Sequence, residues 1–172
     1  MKKAFLPVAL AALVLAAVLF AQDFAYVGAK KCGICHKSEA QGRQYPIWEG
    51  SLHANSFVAL TSPTATEAAL ARGSAKPAED PDCLKCHAPF ADRASELKTE
   101  GVSCEVCHGP GSAYRKLGIM KDRALAAQNG LILYESSEAI KALCMTCHDD
   151  PHGIKFDFAA AWEKIKHFVP NK

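Results

Sequence analysis

Residues 101–111 read GVSCEVCHGPG, and within this stretch Cys104, Cys107 and His108 form a CxxCH motif. Three further copies occur along the chain, formed by Cys32, Cys35 and His36, by Cys83, Cys86 and His87, and by Cys144, Cys147 and His148. On a helical turn, residues at positions i, i+3 and i+4 share one face, so the two thiols can add across the haem vinyl groups while the imidazole reaches the iron. The four motifs therefore predict four covalently attached haem c groups.

The use of cysteine along the chain supports this interpretation. All eight cysteines lie in the four motifs. A zinc site built from paired CxxC units and a framework of disulfide bonds are the two alternatives. Neither requires a histidine directly after every second cysteine, so haem is the predicted cofactor.

The amino terminus has the pattern of an export signal. Met1, Lys2 and Lys3 precede an uncharged, largely apolar run from residue 4 to residue 20. This pattern predicts a signal peptide at residues 1–21 and a mature tetrahaem domain at residues 22–172, with a periplasmic location or, as the alternative, an extracellular one. Because Leu19 fits the small-residue rule for cleavage poorly, an uncleaved membrane anchor is a further alternative.

The charge balance indicates which kinds of partner to expect. Without Lys2 and Lys3 the mature chain has 18 basic and 18 acidic residues. Haem propionates then make the assembled protein negative, which argues against nucleic acid as a partner. We expect redox partner proteins with basic docking patches.

The length of the chain limits the fold. Four haems in residues 22–172 leave about 38 residues for each haem, too few to enclose every cofactor in its own apolar core. No stretch alternates as a β-strand, and helix signals occur throughout. We therefore predict a mostly α class, in which one compact domain has long loops, little or no β-structure, and haems forming much of the core. Specific expectations are a helical segment at 39–60 interrupted near Pro46, and helices beginning after Ser62, Ser112, Ser136 or Ser137, and Asp157.

The chain has fewer histidines than four six-coordinate haem irons would need. Four irons with two axial ligands each need eight, and the motif histidines provide four. Among the three remaining histidines, we predict His53 and His167 as distal ligands and interpret His152, in a polar turn, as an ordinary surface residue. Met120 has two open interpretations, an axial ligand or an apolar packing residue.

Several of these segments together resemble the tetrahaem cytochrome c-554 family. The resemblance rests on GAKKCGICHKSEAQ at residues 28–41, on Trp48 to His53, on GVSCEVCHGPG, and on Lys155-Phe156-Asp157 with His167 beyond it. It implies a mainly α protein with haems in closely packed pairs that passes electrons in a periplasmic respiratory pathway. It also implies that His53 serves the third haem, that His167 serves the fourth, and that the second haem is five-coordinate.

The chain departs from this family pattern at one point. The resemblance implies a histidine ligand for the first haem after Gly-Pro-Gly, yet no histidine lies between His108 and His148. Met120 lies in the right region to replace it. If Met120 does not, two haems would be open.

Electron transfer without substrate chemistry is the preferred function, and the chain is then a carrier rather than an enzyme. One alternative is a reductase that acts on nitric oxide at an open second haem. The other is a subunit of an extracellular cytochrome filament, in which His152 or His167 binds a haem of the next subunit.

Overall fold

The protein is described here by a computed structural model that covers residues 23–149 and 152–168. The predicted signal peptide at residues 1–21 lies outside the described residues, so the boundary at residue 22 stays a prediction. Within the described ranges, no helix has the length and apolar character needed to cross a membrane.

The described residues form short α-helices joined by long loops, with no β-strand among them, which confirms the predicted mostly α class. Two 3-10 turns, Glu39–Gln41 and Ser95–Glu100, lie between the helices. The helices are α1 (Ala29–Gly33), α2 (Gln44–Glu49), α3 (Ser56–Ala59), α4 (Pro63–Leu70), α5 (Pro81–His87), α6 (Cys104–His108), α7 (Leu117–Met120), α8 (Arg123–Gln128), α9 (Ser137–Met145) and α10 (Phe158–Ile165).

Three predicted helix starts are confirmed by their capping bonds. Side-chain oxygens of Ser62, Ser136 and Asp157 each accept a hydrogen bond from the backbone N–H three residues later, at 3.1 Å in every case. Such a bond satisfies one of the N–H groups that the first turn of a helix leaves without a partner. These caps set the starts of α4, α9 and α10.

The interruption predicted near Pro46 occurs further along the chain. Helix α2 runs through Pro46, which is its third residue, where the missing N–H costs no bond within the helix. The helical path instead breaks at residues 50–55. This break is the loop that contains His53.

The prediction of a helix that begins directly after Ser112 is wrong. Ser112 pairs with the amino-terminal segment instead: its hydroxyl accepts from Ala25 N at 2.9 Å, and its N–H donates to Ala25 O at 3.1 Å. The helical residues that follow are split into α7 and α8, and Asp122 caps α8 by accepting from Leu125 N at 2.9 Å. A capping serine is recognised by local pattern, whereas this contact joins residues 87 positions apart.

The apolar core of the polypeptide is thin. Half of its ten buried hydrophobic residues are alanines, and the largest fully buried side chain in the described part is the carboxylate of Glu105. One cluster joins Phe57, Leu60 and Ala88. Because so few large side chains fill the interior, this core supports the expectation that haem packing supplies the rest.

Candidate haem sites

Each CxxCH motif lies on a helical turn, as its spacing predicts. Helices α5 and α6 carry the second and third motifs, and the first and fourth motifs begin at the ends of α1 and α9. In the first motif His36 N donates to Cys32 O at 3.1 Å, and in the fourth His148 N donates to Cys144 O at 3.0 Å. These bonds span four residues, so they place the imidazole one turn after the first thiol.

The thiols are available for attachment to haem. All eight cysteines are free, so the disulfide alternative is not supported. The described residues contain no group of three or more His, Cys, Asp or Glu side chains arranged to hold a metal ion, as a zinc site would require.

Three of the four motif histidines face a second histidine from elsewhere in the chain. Two imidazoles that bind one iron from opposite sides, with iron–nitrogen bonds of about 2 Å, have ring centroids about 6 Å apart. The observed centroid separations fit this value: 6.1 Å for His53 and His148, 6.1 Å for His87 and His152, and 5.8 Å for His108 and His167. These pairs are candidate axial ligand sets for the fourth, second and third haems.

In two of these pairs, the distal histidine lies opposite a different motif histidine from the one that the family resemblance implied. His53 lies opposite the motif histidine of the fourth haem, and His167 lies opposite that of the third. Sequence spacing does not reveal which motif a distal histidine folds back onto, because both histidines are far from either partner along the chain. Their choice as ligand candidates is unaffected.

His152 is exposed, as its interpretation as a surface residue predicts, but it also lies near a motif histidine. Its ring lies opposite His87, at an interplanar angle of 74°. If His152 binds the second iron, that haem would not be open as the family resemblance implied. The polar turn around His152 gave no local sign of a ligand, and the shortage of histidines was the one signal that could have identified it.

The partly buried imidazoles of His53, His108 and His167 can coordinate iron in their neutral form. Burial, followed by the nearby His167 and His36, lowers the pKa of His108 to about 4. Burial also lowers the pKa of His53, with His148 adding to the effect, and burial is the main cause that lowers the pKa of His167. A neutral imidazole has a free nitrogen lone pair, so no proton has to leave before the metal binds.

Ser56, which sequence reasoning missed, joins the second and fourth haem sites. Its carbonyl oxygen lies 2.8 Å from Nδ1 of His87, so it can accept the imidazole N–H and fix the ring orientation. Its hydroxyl lies 2.8 Å from His53 O and 2.9 Å from His87 O, and it accepts from Val102 N at 3.0 Å. One side chain therefore braces a candidate distal ligand and a motif histidine.

Gln44 contacts the motif histidine of the first haem site, as Ser56 contacts that of the second. Its Oε1 lies 3.3 Å from Nδ1 of His36, and its Nε2 donates to Phe168 O at 3.1 Å. Phe168 directly follows His167, so Gln44 links the first motif histidine to the candidate distal ligand of the third haem.

Phe156, one of the residues on which the family resemblance rests, contacts a motif histidine. Its ring stacks on the imidazole of His148 at a centroid distance of 4.4 Å and an interplanar angle of 13°. Stacking restricts rotation of the imidazole about its own axis. Phe156 is therefore a candidate for orienting the ring that would bind the fourth haem.

Contacts among the cysteines order the four motifs in space. Hydrogen bonding with Cys32 is the main cause that raises the pKa of Cys104, which joins the first motif to the third. Burial, followed by the charges of Cys144 and Cys147, raises the pKa of Cys107 to about 11, which joins the third to the fourth. Burial and then hydrogen bonding with Cys147 raise the pKa of Cys86 to about 11. The spatial order is first, third, fourth, second.

Met120 ends helix α7, where its side chain is partly exposed and its N–H donates to Lys116 O at 2.8 Å. His36 is the motif histidine that lacks a facing histidine, since the other six histidines of the chain, all within the described residues, form the three pairs. Whether Met120 supplies the missing ligand stays a prediction.

Four CxxCH turns, three of them with a facing histidine, on a short-helix scaffold with a thin apolar core, define a multihaem c-type cytochrome. The family model for cytochrome c554 and c-prime matches residues 31–109, and this match supports the cytochrome c-554 family. This confirms the resemblance drawn from the motifs.

Two characterised relatives extend this comparison. Cytochrome c-554 of Nitrosomonas europaea is 32% identical over 106 residues, which cover 55% of this chain and 43% of the relative. Multiheme cytochrome MtrA of Shewanella baltica is 27% identical over 121 residues, which cover 61% of this chain and 35% of the relative. The chain thus spans less than half the length of either relative. No solved structure matches it significantly.

Proposed function

We propose that this protein binds four haem c groups and carries electrons between redox partner proteins in the periplasm. The observation that carries the proposal is the set of three facing imidazole pairs, because two strong axial ligands per iron suit electron transfer rather than substrate binding. Haem supplies the exchange between ferric and ferrous iron, and the chain supplies attachment, ligands and spacing.

The order of the motifs supports a path of conduction through the molecule. The first and third motifs approach each other at Cys32 and Cys104. The third and fourth approach at Cys107, Cys144 and Cys147, and the fourth and second approach at Cys147 and Cys86. Electrons would therefore enter and leave at the first and second haem sites, which stand at the two ends of this order. Donor and acceptor proteins would dock at those ends.

The positions of His152 and His167 weaken the case for the two alternative functions, a nitric oxide reductase and a filament subunit. A nitric oxide reductase was expected to use an open second haem, but the ring of His152 lies opposite His87. A filament was expected to use His152 or His167 across a subunit interface, but both rings lie opposite motif histidines of their own chain. Neither alternative is favoured by an observation on the described residues.

The number of haems provides the first test of the proposal. We expect four haems per chain when the purified protein is measured by intact mass and by the absorption of its pyridine complexes, because each CxxCH turn has two free thiols. Changing both cysteines of one motif to alanine should lower the count by one. A count of three in the unchanged protein would contradict the proposal.

Met120 is proposed as the sixth ligand of the first haem. Replacing Met120 with alanine should remove one His/Met haem and its sulfur-to-iron charge-transfer band, and should let carbon monoxide bind at that haem, because no other histidine is left to replace the thioether. Near-infrared magnetic circular dichroism and carbon monoxide titration measure the two effects. Met145→Ala is the matched control, since Met145 is 38% exposed and lies inside the fourth motif. An unchanged spectrum in Met120→Ala would exclude Met120 as a ligand.

A further inference from the structure

Glu105 lies inside the third motif, between Cys104 and Cys107, and is 1% exposed. Its Oε1 accepts from Gly111 N at 2.6 Å and Val27 N at 3.0 Å, and its Oε2 accepts from Gly28 N at 2.8 Å and Val27 N at 3.0 Å. The side chain thus ties the third motif to the segment that leads into the first.

These contacts indicate the ionised form of the side chain. The four hydrogen bonds to the two oxygens all come from backbone N–H donors, so a protonated carboxyl group would have no acceptor for its O–H among these partners. None of the ion pairs in the described residues includes Glu105. The molecule therefore buries a negative charge that is stabilised by backbone dipoles rather than by a cation.

The charge lies at the junction of the first and third haem sites. Hydrogen bonding with Cys104 lowers the pKa of Cys32, while burial and the Glu105 charge act in the opposite direction. Burial, followed by the charges of Cys32 and Glu105, raises the pKa of Tyr114. The hydrogen bonds from Val27 and Gly28, which directly precede α1, place the carboxylate beside the first motif as well as its own, and the effect on Cys32 agrees with this position.

We propose that Glu105 sets the reduction potentials of the first and third haems. Reduction adds one electron to each iron, and a fixed negative charge in a poorly polarisable interior opposes that addition. The Glu105 carboxylate therefore stabilises the ferric form at these two sites and lowers their potentials relative to a chain without the charge. This inference rests on the proposed function as an electron carrier.

An anchoring role alone would also explain the hydrogen bonds, so the test must separate charge from shape. Glu105→Gln keeps the size of the side chain and one acceptor oxygen but removes the charge. Glu138→Gln is the matched control, because Glu138 is exposed on α9, ahead of the fourth motif. Both variants should first be shown to bind four haems with unchanged axial ligands by electron paramagnetic resonance.

Spectropotentiometry of the holoprotein then resolves the redox steps. In Glu105→Gln we expect two of the four steps to move to higher potential, each by at least a tenfold rise in the ratio of reduced to oxidised haem at fixed potential, which is about 59 mV for a one-electron step. The other two steps, and all four in Glu138→Gln, should stay in place. Four unchanged steps in Glu105→Gln would overturn the inference and leave Glu105 as an anchor.

Two further comparisons keep the test decisive. If Glu105→Gln does not assemble, Glu105→Asp and Glu105→Asn can be compared, because they match in size and differ in charge and in one acceptor oxygen. The two redox steps assigned to the first and third haems should then lie at higher potential in the Asn variant. Equal potentials in that pair would equally overturn the inference. An unchanged protein that lacks four reversible steps would instead contradict the proposed function, so the two failures are distinguishable.

Discussion

Replacing His152 with alanine is expected to convert one low-spin ferric haem to high spin. The imidazole of His152 lies opposite His87 at 6.1 Å, so its removal would leave the second iron with one strong axial ligand. Electron paramagnetic resonance of the oxidised protein measures the change. The effect is large because the unchanged protein should contain no high-spin haem at this site.

The matched control and a rescue separate loss of a ligand from damage to the fold. Ile154→Ala changes an exposed side chain in the same loop, 72% exposed, and should leave the spin count unaltered. Added imidazole should restore the low-spin signal of His152→Ala, since it can occupy the vacated position. If His152→Ala folds and its low-spin count equals that of the unchanged protein, His152 is not a ligand and the second haem is open.

Replacing Gly101 with alanine is expected to destabilise the protein by roughly 3 kcal/mol, because the position combines a strained backbone with a crowded environment. Its φ of +65° suits glycine, and an added Cβ would lie 2.6 Å from His53 O and still closer to Ser56 Oγ. The same neighbours position His53 and brace His87. We therefore also expect weaker low-spin ligation at the fourth haem, followed by electron paramagnetic resonance.

Gly118→Ala is the control for this substitution. Gly118 lies in helix α7 and an added Cβ would meet nothing within 4 Å, so alanine there should stabilise the helix by about 0.5–1 kcal/mol. Denaturant unfolding, monitored by haem absorption, gives both free energies. Equal stability of the two variants would show that the loop around His53 tolerates a side chain at position 101. It would contradict the close packing of Gly101 against His53 and Ser56.

Local patterns in the sequence predicted the local structure well. The CxxCH turns, the caps at Ser62, Ser136 and Asp157, and the absence of strands from the described residues all depend on neighbours within a few positions. The family was identified from the same short segments. These features need no knowledge of how distant parts of the chain meet.

Long-range contacts account for what the sequence did not predict. Ser112 has the residue type of a helix cap but bonds to Ala25, 87 positions away. His152 lies opposite His87, and His53 and His167 choose partners in the reverse of the implied order. Each outcome depends on which loop folds onto which motif, and residue type alone carries no signal for that choice.

The most direct test of the account is the set of axial ligands in the oxidised, unchanged protein, measured by electron paramagnetic resonance together with near-infrared magnetic circular dichroism. Three facing imidazole pairs predict three bis-histidine haems, and the proposal for Met120 predicts one His/Met haem beside them. Fewer than three bis-histidine haems would contradict the account.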